Sequence, residues 1–217
     1  VDDATADTLT VTDADTGSEY DVSLTSGMTM AQIVDALNTE FSTSTTRTLE
    51  AANAVYSDAL GTVADDTTVL ADLHDGGATA LGVADGDVIT ISGAKSDGTS
   101  VFREWTITDV TTQTLGDLKA QISSTLGSGV TLSFTNGVLT AQATDPGRQS
   151  FTLAVTSDNA GGGTLDFGGV AVTEAGRGTV DITASDDGGQ LRLSHTSYGS
   201  AAGFDVAYTG GGTDGSA

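Results

Sequence analysis

Apolar residues recur at the same four offsets behind a threonine in two separate stretches: Met30, Ile33, Leu37 and Phe41 behind Thr29, and Leu115, Leu118, Ile122 and Leu126 behind Thr114. Steps of three, four and four residues set all four side chains on one stripe of an α-helix. The spacing therefore predicts helices over residues 29–41 and 114–126, each with its Thr placed to accept a hydrogen bond from an otherwise orphaned backbone N–H. Three residues beyond each Thr stand Gln32 and Asp117, a capping-box spacing in the first case and a shorter-armed version of it in the second. One pattern carried twice points to a repeated α+β building block.

Around these stripes the alternation shortens to every second residue. Residues 8–12 and 19–24 read as a hairpin with Tyr20, Val22 and Leu24 on one face. The first helix follows this hairpin, and the second follows another, 88–92 with 101–108, in which Trp105 and Ile107 share a face assigned to the core. Beyond the second helix, 130–134 and 138–143 flank Asn136-Gly137, a strong two-residue hairpin signal, and 151–156 adds a strand. Residues 180–184, 190–195 and 204–208 resemble that strand trio. The Ala-rich stretch 47–60 reads either as a helix or as two short strands about Asn53, and its flanking turn formers favour strands. A helical turn is expected at 67–73, a Gly-rich connection with a short strand at 169–173 over 159–178, and a flexible tail at 210–217.

The order hairpin, helix, three strands is complete mid-chain and split at the ends. The expected architecture is α+β and β-rich: two small modules, each a mostly antiparallel sheet with one short packed helix, one inserted into the other. Residues 1–60 with 176–217 are assigned to the outer, discontinuous module and 61–175 to the inserted one. Such an insertion costs little, because closure entropy grows slowly with loop length and the ends of a compact module lie close together.

Composition narrows the function. Leu, Ile, Val and Phe supply only about a fifth of the residues, which suits two small cores. Thirty Asp and Glu against seven Lys and Arg give a net charge of −23, which repels nucleic-acid phosphates and anionic lipid and suits a solvated skin. With no Cys there is no disulfide framework, thiolate metal site or cysteine nucleophile. No window approaches the ~20 apolar residues that span a bilayer, and the start at Val1 leads to the expectation of an excised piece of a longer protein.

The run Thr29-Met30-Ala31-Gln32-Ile33-Val34-Asp35-Ala36-Leu37-Asn38, followed at a distance by Gly189 to Val206 with Leu191, Leu193, Gly199 and Phe204, resembles the flagellin hook IN motif. In its first half that motif reads Thr, three residues, an apolar residue, two residues, Ala, an apolar residue, Asn. Tyr198 stands where the family usually has Thr before the Gly. Leu70–Leu73, 86–93 and Asp97-Gly98-Thr99 are similar to segments of the outer domains of flagellar proteins. The motif family includes the bacterial flagellar filament-cap protein (hook-associated protein 2) and some large flagellins. The resemblance implies a non-catalytic, extracellular structural protein of the flagellum, here its surface-exposed middle portion. Axial helices outside this chain, which shows no sustained heptads, would carry self-assembly into a homo-oligomer. The cap would form a ring at the filament tip in which exported flagellin folds before addition. The partners implied are other copies and flagellin or other axial proteins, with no nucleic acid, membrane or cofactor. A variable outer domain of a large flagellin or hook protein, a calcium-binding secreted adhesin module and a carbohydrate-binding module or hydrolase are the rival readings.

Candidate chemistry is sparse. His74 sits in a turn and His195 continues a strand alternation, and no Gly-x-Ser-x-Gly elbow is present. Asp13, Asp15 and Glu19 are the calcium candidates, with Asp85 and Asp87 a lesser pair; the spacing departs from an EF-hand loop, and Asp with Gly is also what a hairpin turn demands. Gly161-Gly162-Gly163 lacks the Lys of a phosphate loop and reads as linker, while Trp105 and Tyr198 are the aromatics that could stack on a sugar.

Overall fold

A computed structural model describes residues 7–196 and 203–210. In chain order the elements are β1 (Asp7–Asp13), β2 (Glu19–Leu24), α1 (Met30–Ser42), β3 (Thr48–Ala54), a 3-10 turn at Leu70–Asp72, β4 (Val88–Ala94), β5 (Ser100–Thr106) and α2 (Leu115–Leu126). There follow β6 (Val130–Thr135), β7 (Val138–Ala143), β8 (Thr152–Ser157), β9 (Val170–Glu174), β10 (Ile182–Asp186), β11 (Leu191–His195) and β12 (Phe204–Thr209). The fold is α+β and β-rich: small antiparallel sheets with two short helices.

Both helices begin where the sequence places them. Thr29 and Thr114 accept the N–H of Gln32 and Asp117, and the Gln32 and Asp117 side chains accept the N–H of Thr29 and Thr114 in return, so both capping boxes close. The stripe of α2 is wholly buried at Leu115, Leu118, Ile122 and Leu126. In α1 only Leu37 and Phe41 are, with Met30 and Ile33 half-covered.

The chain divides into two compact units, one running to Thr45 and resuming at Arg177, the other spanning Thr46–Gly176. In the outer unit β1 lies between β12 and β2, β10 pairs with β11, and α1 packs on β2 and β10 around Leu9, Val11, Tyr20, Val22, Leu37, Phe41 and Ile182. In the other unit β4 lies between β5 and β8, and β6 pairs with β7. The two units share one connectivity: a hairpin, a helix, a second hairpin, then a last strand that returns antiparallel to the first. The three C-terminal strands therefore form no sheet of their own, because β12 leaves the β10–β11 hairpin to pair with β1.

Residues 46–60, expected in the outer module, belong to the other unit. β3 is one strand through Asn53 instead of two around it, and it inserts between β7 and β9 with Leu49 and Val55 buried in that unit's core. The Asn136-Gly137 turn forms with φ of 52° and 78°, both in the left-handed region. A Cβ on Gly137 would stand 2.3 Å from the Val55 carbonyl oxygen, which fixes this residue as glycine.

Thr29→Ala should destabilise the outer unit by about 1 kcal/mol and Thr114→Ala the other unit by a similar amount. Hydrogen exchange resolved by segment checks this: each substitution should lower amide protection in its own unit and leave the other unchanged.

Candidate functional site

The chain leaves the outer unit at Thr45 and returns at Arg177, and side chains gather around this break. Thr45 and Arg177 form an antiparallel bridge, with N–H donated to C=O in both directions at 2.9 and 3.1 Å. Arg177 then turns inward: it pairs with Glu40 of α1, donates from Nη1 to the Glu19 carbonyl at 3.1 Å, and lies 5.1 Å from the Tyr20 ring centroid. Tyr20 packs edge-on to Phe41 and donates its hydroxyl to the Gly178 carbonyl at 2.9 Å. About one turn before the end of α1, Asn38 reaches β10: its Oδ1 accepts the Ala184 N–H at 2.9 Å and its Nδ2 donates to the Ala184 carbonyl at 3.0 Å. The amide thus satisfies both backbone groups of one strand residue, as a neighbouring strand would.

Burial holds the Tyr20 phenol above its ordinary value of 10.0; the Asp13 carboxylate adds to this, while Arg177 acts the other way.

The acidic candidates are engaged with backbone. Asp13, itself buried, accepts the Asp15 N–H at 3.2 Å and the Thr16 hydroxyl at 2.6 Å, closing the β1–β2 turn. Asp15 and Glu19 are exposed on that turn and strand, and Glu19 contributes its carbonyl to Arg177. Asp85 accepts the Val110 N–H at 2.7 Å. Asp87 is fully buried and accepts from Ala84 and Gly161 at 3.0 and 2.6 Å. Among the described residues no three His, Asp or Glu side chains gather as a metal-ligand set. Asp58, Asp65, Asp75, Asp97, Asp109, Asp158 and Asp166 repeat the Asp13 device, each accepting the N–H two residues on. Hydrogen bonds from Thr62, Thr67, Thr99 and Thr111 hold the carboxyls of Asp58, Asp65, Asp97 and Asp109 below the usual carboxylate range.

The remaining candidates scatter. His74 contacts the Asp72 carbonyl through Nδ1 at 2.8 Å, and His195 lies on β11 opposite Ile182. Trp105 is partly buried against the core while Ile107 is fully buried. Gly163 packs against the Gly82 backbone where a Cβ would meet an oxygen at 2.5 Å, so the glycine run serves close packing. Tyr198, Gly199 and the tail from 211 lie outside the described residues.

Sequence reasoning missed a cleft of about 660 Å³ lined by Asn53, Tyr56, Asp75, Thr79, Thr164 and Asp166. These residues come from three distant stretches, and no spacing joins them. Asp75 and Asp166 accept backbone N–H groups in their own turns, and Asn53 donates to the Asp166 carbonyl.

No protein-family model and no curated protein matches the chain. A solved structure similar to it is that of the flagellar cap protein FliD, domains D1-D2-D3, from Escherichia coli, at 16% identity and a TM-score of 0.36. The likeness covers 88% of this chain and 39% of that one.

Asn38→Ala strands the Ala184 N–H and C=O and should cost the outer unit about 1–3 kcal/mol, with loss of amide protection at Ala184. Ser123→Ala, at the matching place in α2, should stay within about 0.5 kcal/mol in the same denaturant titration. Tyr20 supplies a pH test: the folded state favours the neutral phenol, so its contribution is intact below pH 10 and declines as pH rises through the raised value. Tyr20→Phe should flatten that alkaline decline while lowering stability at neutral pH through loss of the Gly178 bond.

Proposed function

We propose that this chain is a surface-exposed, non-catalytic structural portion of a bacterial flagellar filament-cap protein, extracellular and assembled with other copies through axial helices outside it. The supporting observation is the meeting of the two runs that resemble the hook IN motif. The first run ends at Asn38, and Asn38 bonds to Ala184, 146 residues away, on the strand that pairs with Leu191 and Leu193 of the second run. A motif written in two halves fits a helix-plus-hairpin unit opened by an insertion. The acidic skin, with carboxylates committed to turn backbone, fits a module that keeps neighbours soluble and offers shape rather than chemistry. No described helix is long and apolar enough to cross a membrane.

In this reading the modules form the lateral and outward surfaces of a ring at the filament tip, and flagellin folds in the space they enclose before it is added. The partners are other copies and flagellin or other axial proteins, and the work is mechanical.

Immunogold electron microscopy of producing cells, with antibody raised against this chain, tests the assignment. Label confined to filament tips is expected. Label along the filament length would assign the chain to a flagellin outer domain, and label on the cell body would move it to a secreted adhesin; either result overturns the cap reading.

A further inference from the structure

The shared connectivity makes one difference between the modules measurable. β8 and β12 are equivalent last strands with one pattern, Phe151-Thr152-Leu153-Ala154-Val155 and Phe204-Asp205-Val206-Ala207-Tyr208, each antiparallel to the first strand of its unit. Leu153 and Val155 are each 4% exposed, whereas Val206 and Tyr208 are 51% and 57% exposed. The preceding hairpins differ in the same way: Leu139 and Ala141 of β7 are fully buried, and Leu191 and Leu193, at the same register in β11, are half-covered. The pattern that is complete mid-chain also has an added strand that the split one lacks among the described residues. β3 adds antiparallel to β7, with Leu49 opposite Ala141 and Glu50 opposite Thr140. Among the described residues β11 has β10 as its one strand partner.

We propose that the β11 edge of the outer module is a docking site for an extended segment of a different polypeptide, which adds antiparallel to β11 as β3 adds to β7. Apolar side chains at alternate positions of that segment lie beside Leu191 and Leu193, and an Asp or Glu between them faces Arg192. Charge argues for this occupant. Arg192 holds in β11 the register that Thr140 holds in β7, so a strand patterned like β3 brings the equivalent of Glu50 opposite a cation. β11 carries Arg192 and His195 and no carboxylate, in a chain with 30 acidic and 7 basic residues. The contact of Arg192 with Asp187 is long, 3.8 Å, and both side chains are largely exposed, so it yields readily to a closer cross-strand pair. A second copy docking by the same edge would bring two Arg192 side chains and two acidic modules together, which disfavours it. Strand addition to an open edge takes its affinity from main-chain bonds and its selectivity from alternate side chains.

The test titrates a synthetic peptide of sequence 46–53 of this chain, with capped ends, into the whole protein and follows amide shifts and exchange protection by NMR. Saturable protection of the Leu191 and Leu193 amides, which face away from β10, is expected, with β7 unchanged. Arg192→Glu should weaken binding about tenfold and Arg192→Ser by less, while a peptide with Lys in place of its Glu should recover affinity for the Arg192→Glu protein. Thermal unfolding of both variants should match the parent, since Arg192 is exposed. Protection confined to β7, or none at millimolar peptide, overturns the proposal. So does protection of β11 that grows with protein concentration without peptide, which would give the edge to a second copy.

Discussion

The outer module depends on a helix held against a strand that the chain reaches only after the whole of the other unit. In α2 the problem does not arise: the helix ends at Gly127, in the left-handed region, and β6 begins at Val130, so the backbone itself sets helix on hairpin. In α1 that connection is cut after Thr43–Thr45, and non-covalent contacts replace it. Asn38 clamps Ala184, Arg177 ties the returning chain to Glu40 and Tyr20, and the Val180 N–H reaches the Phe41 carbonyl at 2.9 Å. The Thr45–Arg177 bridge brings the two ends of the break together. With the stems held, the length of what lies between them adds only slowly to the closure entropy.

The heavy negative charge is in good part backbone chemistry. An Asp carboxylate that accepts the N–H two residues on fixes a turn locally, from within the turn itself. Eight such turns, at Asp13, Asp58, Asp65, Asp75, Asp97, Asp109, Asp158 and Asp166, occur among the described residues. Hydrogen bonds from threonines of these turns, Thr62, Thr67, Thr99 and Thr111, hold four of the carboxyls below their usual range. Asp13 was readable as a ligand because ligands and turn formers are the same residue type, and its two oxygens are spent on Asp15 and Thr16.

What could be read from the sequence was whatever is written in local periodicity. Both capped helices, the Asn136-Gly137 turn and the alternating hairpins follow from side-chain offsets, which the backbone alone imposes. The fate of 46–60 was not legible, because its Ala and Asn are weak strand formers and β3 exists by virtue of being sandwiched between β7 and β9. Pairing of β12 with β1 was equally hidden: alternation gives a strand but not its neighbour. Asn38 could be singled out as the last residue of a motif, yet its partner Ala184 lies 146 residues away and no local pattern links the two. Arg177 gave no signal beyond being one of five arginines in an acidic chain.

Two modules of one connectivity and unequal completeness show what a shared topology leaves free. Both use a capped helix to cover a hairpin and a three-stranded sheet, and in both the last strand carries Phe, an apolar residue, Ala and another apolar residue in one register. The unit from Thr46 to Gly176 adds β3 and β9 to its second hairpin and includes Leu165 and Phe167 in its core, so the apolar face of β8 is closed. Among the described residues the outer unit has a smaller core and no such addition, and Val206 and Tyr208 are largely exposed. Small modules bury a smaller share of their surface than large ones, so the stability of the outer unit rests more heavily on point contacts such as Asn38 and Arg177. Asn38 joins α1 to β10, and Arg177 joins the returning chain to α1 and β2. β11 and β12 hold half-covered or exposed apolar residues at positions that are buried in β7 and β8, and in this the two copies of the pattern have diverged.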